Sequence, residues 1–453
     1  MQEAEQHQDA LNKAFSLLEQ WKLFEEADEI QPLGKAAVYK TSVVLLLMLY
    51  QRLNCKHSLQ DAVEYFVKNA PIKESSNRRV REGSLSTKTG SYSVARNRLT
   101  LELVNWLQTR VSEMIIQSTP ASFKSMRVFL LDGTTLSAAP NPALQKAFPP
   151  SSNQHGEGVW PIIHLVTAHE LSSGAATTPE IGPMNGPNAL SETRLADGLI
   201  ARLPPSSIVM ADAGFGIYHV AYGAYKHNHK FVFRLTVQRF ESYAKKAKLI
   251  CEKADSRVYS FAWAPSKKEL ANHPVLPANS RLEVKLYAIK MGDEWLYLVT
   301  DIEATVQELK SLYFHRYSIE VDIRNIKVVL QAEYFDCKSV EMLRKEIGMA
   351  MVAYNLTTQV RRQAAVEAKR EPRELSFTGV WTVFRHQLLT SVFTNAEELE
   401  TALNITIRRA SQQTLPRRPG RSYPREVYKR RPKSSHFQTR KRRETPSENK
   451  AKE

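Results

Sequence analysis

Tyr313-Phe314-His315-Arg316-Tyr317-Ser318-Ile319-Glu320-Val321-Asp322-Ile323-Arg324-Asn325-Ile326-Lys327 is the stretch around which the rest of the chain is organised. It contains no glycine or proline, so it reads as one continuous helix. At ~100° per residue, Tyr313, Arg316, Glu320 and Lys327 fall within an arc of ~60°, and Arg324 joins that polar face. Leu312, Ile319, Ile323, Ile326 and Leu330 fall on the neighbouring arc. The helix therefore buries an apolar stripe and holds one carboxylate beside cations and a phenol, the arrangement a site on a rigid element needs. A plain surface helix with an Arg316–Glu320 ion pair would satisfy the same pattern. Asp322 points ~160° away from Glu320 and is excluded as a partner of it in metal binding.

Two blocks upstream carry acids beside strand patterns. Met126 to Leu131 is an apolar strand running into Asp132-Gly133-Thr134-Thr135, and Ser207 to Ala211 is another, ending at Asp212-Ala213-Gly214-Phe215-Gly216. Both aspartates are expected where a strand stops, facing a cleft on fixed backbone. Between them lie strand patterns at Trp160 to Thr167 and Thr177 to Met184, and a helix at Leu190 to Leu203 opened by Ser191 and Glu192. After them come a helix at Gly216 to His227 and a strand at Lys230 to Leu235. Strands interleaved with helices imply a mixed α/β sheet. From Gln238 to Thr300 alternation returns, with Leu282, Val284 and Leu286 facing one way and Glu283, Lys285 and Tyr287 the other.

The first ~120 residues read as helical. Leu11 to Phe24 is amphipathic, and Thr41 to Leu53 is nearly all apolar. Leu59 to Lys68 is capped by Ser58 with Asp61, and Ser91 to Leu107 follows a basic stretch with Arg78, Arg79 and Arg81. Val340 to Ala365, Phe377 to Leu389 and Ala396 to Leu403 are further helices. From Thr414 the sequence turns basic and Pro- and Ser-rich, a composition that cannot bury a core and predicts a disordered tail.

The 453 residues set a prior of about three domains. A net charge of +16 and a pI near 9.6 point to a polyanionic partner, nucleic acid before membrane. The longest apolar run, Val43 to Tyr50, is far below the ~18 residues a spanning helix needs. The acidic, polar start is unlike a signal peptide, and a cytoplasmic location is expected. Cys55, Cys251 and Cys337 form no CxxC pair, which argues against a zinc site or a disulfide framework. Two aspartates and a glutamate could hold two Mg²⁺ ions roughly 3.5–4 Å apart, with Mn²⁺ as a substitute, for in-line phosphoryl transfer.

The Tyr-x2-Arg-x3-Glu-x6-Lys spacing, the Asp132-Gly133-Thr134 block and Ala211-Asp212-Ala213-Gly214-Phe215 together resemble the insertion-sequence-four family of DDE transposases. Ala213 stands where the family has Arg. Glu192 matches a helix acid of the family, and Tyr354-Asn355-Leu356 matches its next helix. The resemblance implies a ribonuclease-H-like catalytic core interrupted by a β-rich insertion. The expected organisation is a helical DNA-binding domain at 1–120 and the core in two parts, 125–237 and 301–370. The insertion is expected at 238–300, a helical C-terminal region at 371–413 and a basic tail at 414–453. It implies a DNA transposase with Asp132, Asp212 and Glu320 as catalytic metal ligands. Tyr313, Arg316, Arg324 and Lys327 would contact the DNA, and Trp263 of the insertion is a candidate to stack on a flipped base, weighed against a packed core position. The implied partners are the element ends and target DNA, bound by a dimer in the synaptic complex. The rival reading is a DNA-binding regulator that keeps the scaffold without cutting. His164 and His169 are expected to be packed or exposed rather than ligands, and His219 and His315 lie near the proposed site.

Overall fold

In the computed structural model, which describes residues 17–34, 37–54, 58–69, 77–153, 156–391 and 396–416, period-2 alternation sorts the strand residues between two cores. On β1 (Val128–Ala138), Phe129 and Leu131 enter the larger core, while Val128 and Leu130 enter a smaller one. β6 (Ile208–Ala211) divides in the same way, Val209 and Ala211 against Ile208 and Met210. Successive side chains on a strand point to opposite faces, so such all-apolar runs need cover on both sides.

The remaining strands are β2 (Ser152–Asn153) and β3 (Gly156–Glu157), which form a separate two-stranded ribbon, β4 (Ile162–Glu170), β5 (Glu180–Pro183) and β7 (Lys230–Arg234). Beyond them come β8 (Lys248–Lys253), β9 (Ser256–Trp263), β10 (Leu282–Met291), β11 (Glu294–Thr300) and β12 (Tyr334–Phe335). The main sheet runs β5-β4-β1-β6-β7-β11-β10-β9-β8, with β12 added to the end of β1. β4 pairs antiparallel with both β1 and β5, whereas β6 is parallel to β1 and to β7. β11 lies antiparallel to β7, so the strands of the Gln238–Thr300 region extend the same sheet. The protein is thus a mixed α/β fold built on one large mixed sheet.

The N-terminal helices Leu17–Ile30, Thr41–Leu53 and Leu101–Gln117 pack around the 28-residue helix Val340–Glu367. Buried guanidinium groups of Arg52 and Arg96 both bind Glu346 on that long helix, Arg52 at 2.7 Å. Ser58 and Asp61 cap the Leu59–Asn69 helix as the sequence indicates. The helix expected across Ser91 to Leu107 is two helices, Gly90–Arg98 and Leu101–Gln117. Thr100 divides them, accepting a hydrogen bond from the Leu103 amide as the cap of the second. The part of the Leu11–Phe24 prediction before Leu17, and the basic tail from position 417, lie outside the described residues. Among the described residues no helix is long and apolar enough to cross a membrane.

Candidate active site

β1 and β6 pair only as far as Leu130 with Met210. Asp132 comes two residues later along β1 and Asp212 just past β6, beyond the last paired residues, and the Asp212 charge acts on Asp132 across the crevice between them. Asp212 follows the last residue of β6, as expected. Asp132 does not sit at a strand end: β1 continues to Ala138, paired with β4 throughout. The apolar run ends at Leu131 because a half-covered strand needs no apolar residues on its open side, and the sequence pattern mistakes that change for the end of the strand. Each carboxylate is fixed by a local amide, Gly133 N–H donating to Asp132 Oδ1 and Gly214 N–H to Asp212 Oδ1, both at 2.8 Å. Burial pushes the Asp132 carboxyl up to about 6, and the charges of Asp212 and Glu192 add to the rise. The Gly133 amide and Arg316 oppose it.

The segment carrying Glu320 is not one uniform helix. An α-helix, Val306–Phe314, passes into a 3-10 turn, His315–Tyr317, then α-helix Ser318–Arg324 and a π-helical turn, Asn325–Val329. Residue periodicity cannot detect such changes in winding, because they keep the apolar positions inward. Leu312, Ile319, Ile323, Ile326 and Leu330 are all buried as the stripe predicts. Ile319 and Ile323 join the same small core as Leu130 and Met210, so this segment covers the face of the sheet on which Asp132 lies.

Glu320 is exposed and its Oε1 accepts from Arg316 Nη2 at 2.5 Å. Arg316 is buried, lies 4.7 Å from the Tyr317 ring centroid, and exerts its charge on Asp132. The structure therefore brings Asp132, Asp212 and Arg316 together and ties Glu320 to them through Arg316. Among the described residues, no three His, Cys, Asp or Glu side chains form a group able to hold a metal ion. Lys327 Nζ reaches Thr134 Oγ1 in the Asp-Gly-Thr block and Glu333, each at 3.3 Å.

Tyr313 is 4% exposed, and among the described residues its hydroxyl has no hydrogen-bond partner. Burial raises its pKa, moderated by Arg316 and Arg234 and reinforced by Asp212. It thus lies under the crevice rather than on the surface the sequence pattern assigns to it. Arg324 is exposed. Trp263 requires correction: at 1% exposure it packs against Tyr218, Phe231 and Tyr243, so no base can stack on it. His315 is exposed, and His219 is buried against the His273 ring at 3.7 Å.

Sequence reasoning left Glu192 and His164 without a role. Glu192 starts the Glu192–Ile200 helix behind its cap Ser191, and its carboxyl group lies against Gly133. His164 Nε2 stands 3.4 Å from Glu192 Oε1 and its Nδ1 2.9 Å from the Leu190 carbonyl. The side-chain hydrogen bond to Glu192 is the main cause raising the His164 pKa, against burial. The glycine beside the first acid was the available signal, since glycine marks close approach by another group.

The family described as Transposase DDE domain matches residues 123–356, which include all three acids and the helix segments just described. The chain is also 23% identical, over 347 residues, to the Transposase InsG for insertion sequence element IS4 of Escherichia coli (strain K12), covering 74% of this chain and 75% of that protein. The match to more than half of the chain, with the resemblance along its acid blocks, shows that this chain belongs to the DDE transposase family, of the insertion-sequence-four kind.

Proposed function

We propose that the protein is a DNA transposase that cuts and rejoins phosphodiester bonds at element ends by a divalent-metal-dependent, cut-and-paste route. The observation that carries this reading is the placement of Asp132 and Asp212 just past the last paired residues of β1 and β6, where the Asp212 charge acts on Asp132, with Arg316 linking Asp132 to Glu320. Strands β5-β4-β1-β6-β7, antiparallel on one side of β1 and parallel on the other, support a ribonuclease-H-like core at 125–237 and 301–370.

The donor chemistry fits hard cations such as Mg²⁺ or Mn²⁺. Its donors are carboxylate oxygens, and crowding of Asp132 by Asp212 and Glu192 leaves negative charge that a divalent ion offsets. Asp132 and Asp212, with Glu320, would hold the ions. When bound, such ions activate the attacking hydroxyl and stabilise the leaving oxygen. Arg316 holds Glu320 in place and presents a cation, kept charged by its carboxylate partner, close to where a phosphate would lie. Lys327, anchored at Thr134, adds a second positive point charge. The unpaired Tyr313 hydroxyl is a donor available to an entering oxygen. Synapsis of two ends calls for a dimer on DNA, with the N-terminal helices contacting the ends.

A supercoiled plasmid carrying the element ends, incubated with Mg²⁺, tests the assignment. Glu320→Gln should abolish nicking while end binding in a mobility-shift assay stays near the wild-type level. Wild-type cutting by that variant overturns it. A folded wild-type protein that binds the ends but never cuts, in Mg²⁺ or Mn²⁺, identifies the silent regulator instead.

A further inference from the structure

Gly133 directly follows Asp132, and its missing side chain belongs on the opposite face of β1, the face covered by the Glu192–Ile200 helix. A Cβ at this position would come within 2.7 Å of Glu192 Cδ and 2.8 Å of its Cγ. Those atoms belong to the outer part of a half-exposed side chain, so a residue larger than glycine at 133 would push the Glu192 carboxyl group out of its present position beside Asp132. The Asp132-Gly133-Thr134 block thus carries glycine where the carboxyl group of Glu192 rests on the strand.

Glu192 is also held from behind. His164, paired with Thr135 across β1 and β4, donates from Nδ1 to the Leu190 carbonyl and, when protonated, from Nε2 to Glu192 Oε1. The Glu192 side chain is 41% exposed, whereas that of His164 is 8% exposed. A carboxylate so open to water adds little to the stability of the fold. Yet it is aimed by a buried histidine and admitted to the acid pair by a glycine. An independent feature on the other side of the crevice points to an oxygen-bearing ligand there: the Tyr313 hydroxyl, on a residue 4% exposed, has no partner among the described residues and lies within the field of Asp212 and Arg316.

We propose that Glu192 is a positioning residue of the cleavage site, held by His164 and admitted by Gly133, which strengthens divalent-cation binding at Asp132 from outside the direct ligand set. The proposal rests on the reading of Asp132 as a cation ligand. Outer groups of this kind are typically worth about 10–100-fold in metal affinity.

The test is Mn²⁺ binding to the full chain without DNA, read from the paramagnetic resonance signal of free Mn²⁺. Folding is checked by urea unfolding in chelator. Asp132→Asn should lose binding. Glu192→Gln should bind about 10-fold or more weakly with an unchanged unfolding midpoint, Gly133→Ala should weaken binding similarly, and Glu192→Asp should recover part of the loss. Glu192→Gln binding Mn²⁺ like the wild type, while Asp132→Asn does not, overturns this proposal alone. A large fall in the unfolding midpoint of Glu192→Gln also overturns it, by assigning the residue to the fold. Binding by Asp132→Asn equal to wild type, or none by either, removes the underlying cation reading and this inference with it.

Discussion

His169 stands on β4 opposite Leu130, fully buried, with its ring edge-on to Tyr354 at 5.3 Å and Nδ1 3.8 Å from Asp322. Burial lowers its pKa to about 4, although the nearby Asp322 charge resists the fall. At pH 7 the ring is neutral both folded and unfolded, so it adds no pH dependence there. Below about 6.5 the unfolded chain takes up a proton that the folded chain refuses, so stability falls as pH drops towards 4. The expected loss at this one residue is about 2 kcal/mol between pH 7 and pH 5. Urea unfolding at both pH values should show that much less pH dependence in His169→Gln than in the wild type. An equal slope in the two proteins contradicts the assignment.

A single element, the broken helix of residues 306–329, shows why Asp322 is apolar in surroundings yet acidic in kind. The carboxylate is fully buried and receives two bonds from Arg373, at 2.8 and 3.1 Å, from beyond the long helix. Burial alone would raise its pKa, but the Arg373 guanidinium, with Arg361, holds it below the usual carboxylate value. This pair ties the back of the Glu320 segment to the chain after Val340–Glu367, where the winding changes from α to π, a feature often met at functional sites. The two partners are not equivalent, because the Arg373 side chain is 31% exposed and Asp322 is not exposed at all. Arg373→Ala strands a buried charge and should cost about 3–5 kcal/mol in chemical denaturation. Asp322→Ala should cost less, since the released guanidinium can reach water. The reverse order of the two losses would contradict this account.

At the scale of the whole molecule, charge is distributed unevenly. Positions 417–453 contain fourteen Lys and Arg against four Asp and Glu, so +10 of the net +16 belongs to that stretch. DNA affinity that depends on phosphate contact falls with salt in proportion to the number of contacts. A chain ending at Pro416 should therefore show a shallower slope of log affinity against log salt than the full chain, while retaining end binding at low salt. Equal slopes would remove the stretch from the DNA contact. Within the described residues, the clamp of Arg52 and Arg96 on Glu346 joins the N-terminal helices to the same long helix that backs the sheet. Changes at the N-terminal helices are thereby connected to the sheet through packed elements.

The amino-acid sequence by itself determined the mixed α/β character, the helical N-terminal part and the apolar stripe beneath Glu320. Those follow from local periodicity and from residue spacing, both of which survive translation into structure. It also allowed Asp322 to be set apart from Glu320, because a helix of any winding separates neighbours two residues apart. Only the tertiary structure decided that β1 runs on past Asp132, that Trp263 is core, that Tyr313 lies below the crevice, and that Glu192 rests on Gly133. Burial and the approach of groups sixty residues apart depend on which faces of the sheet are covered and by what. No local pattern records that choice, because the same alternation fits either face until the helices are packed.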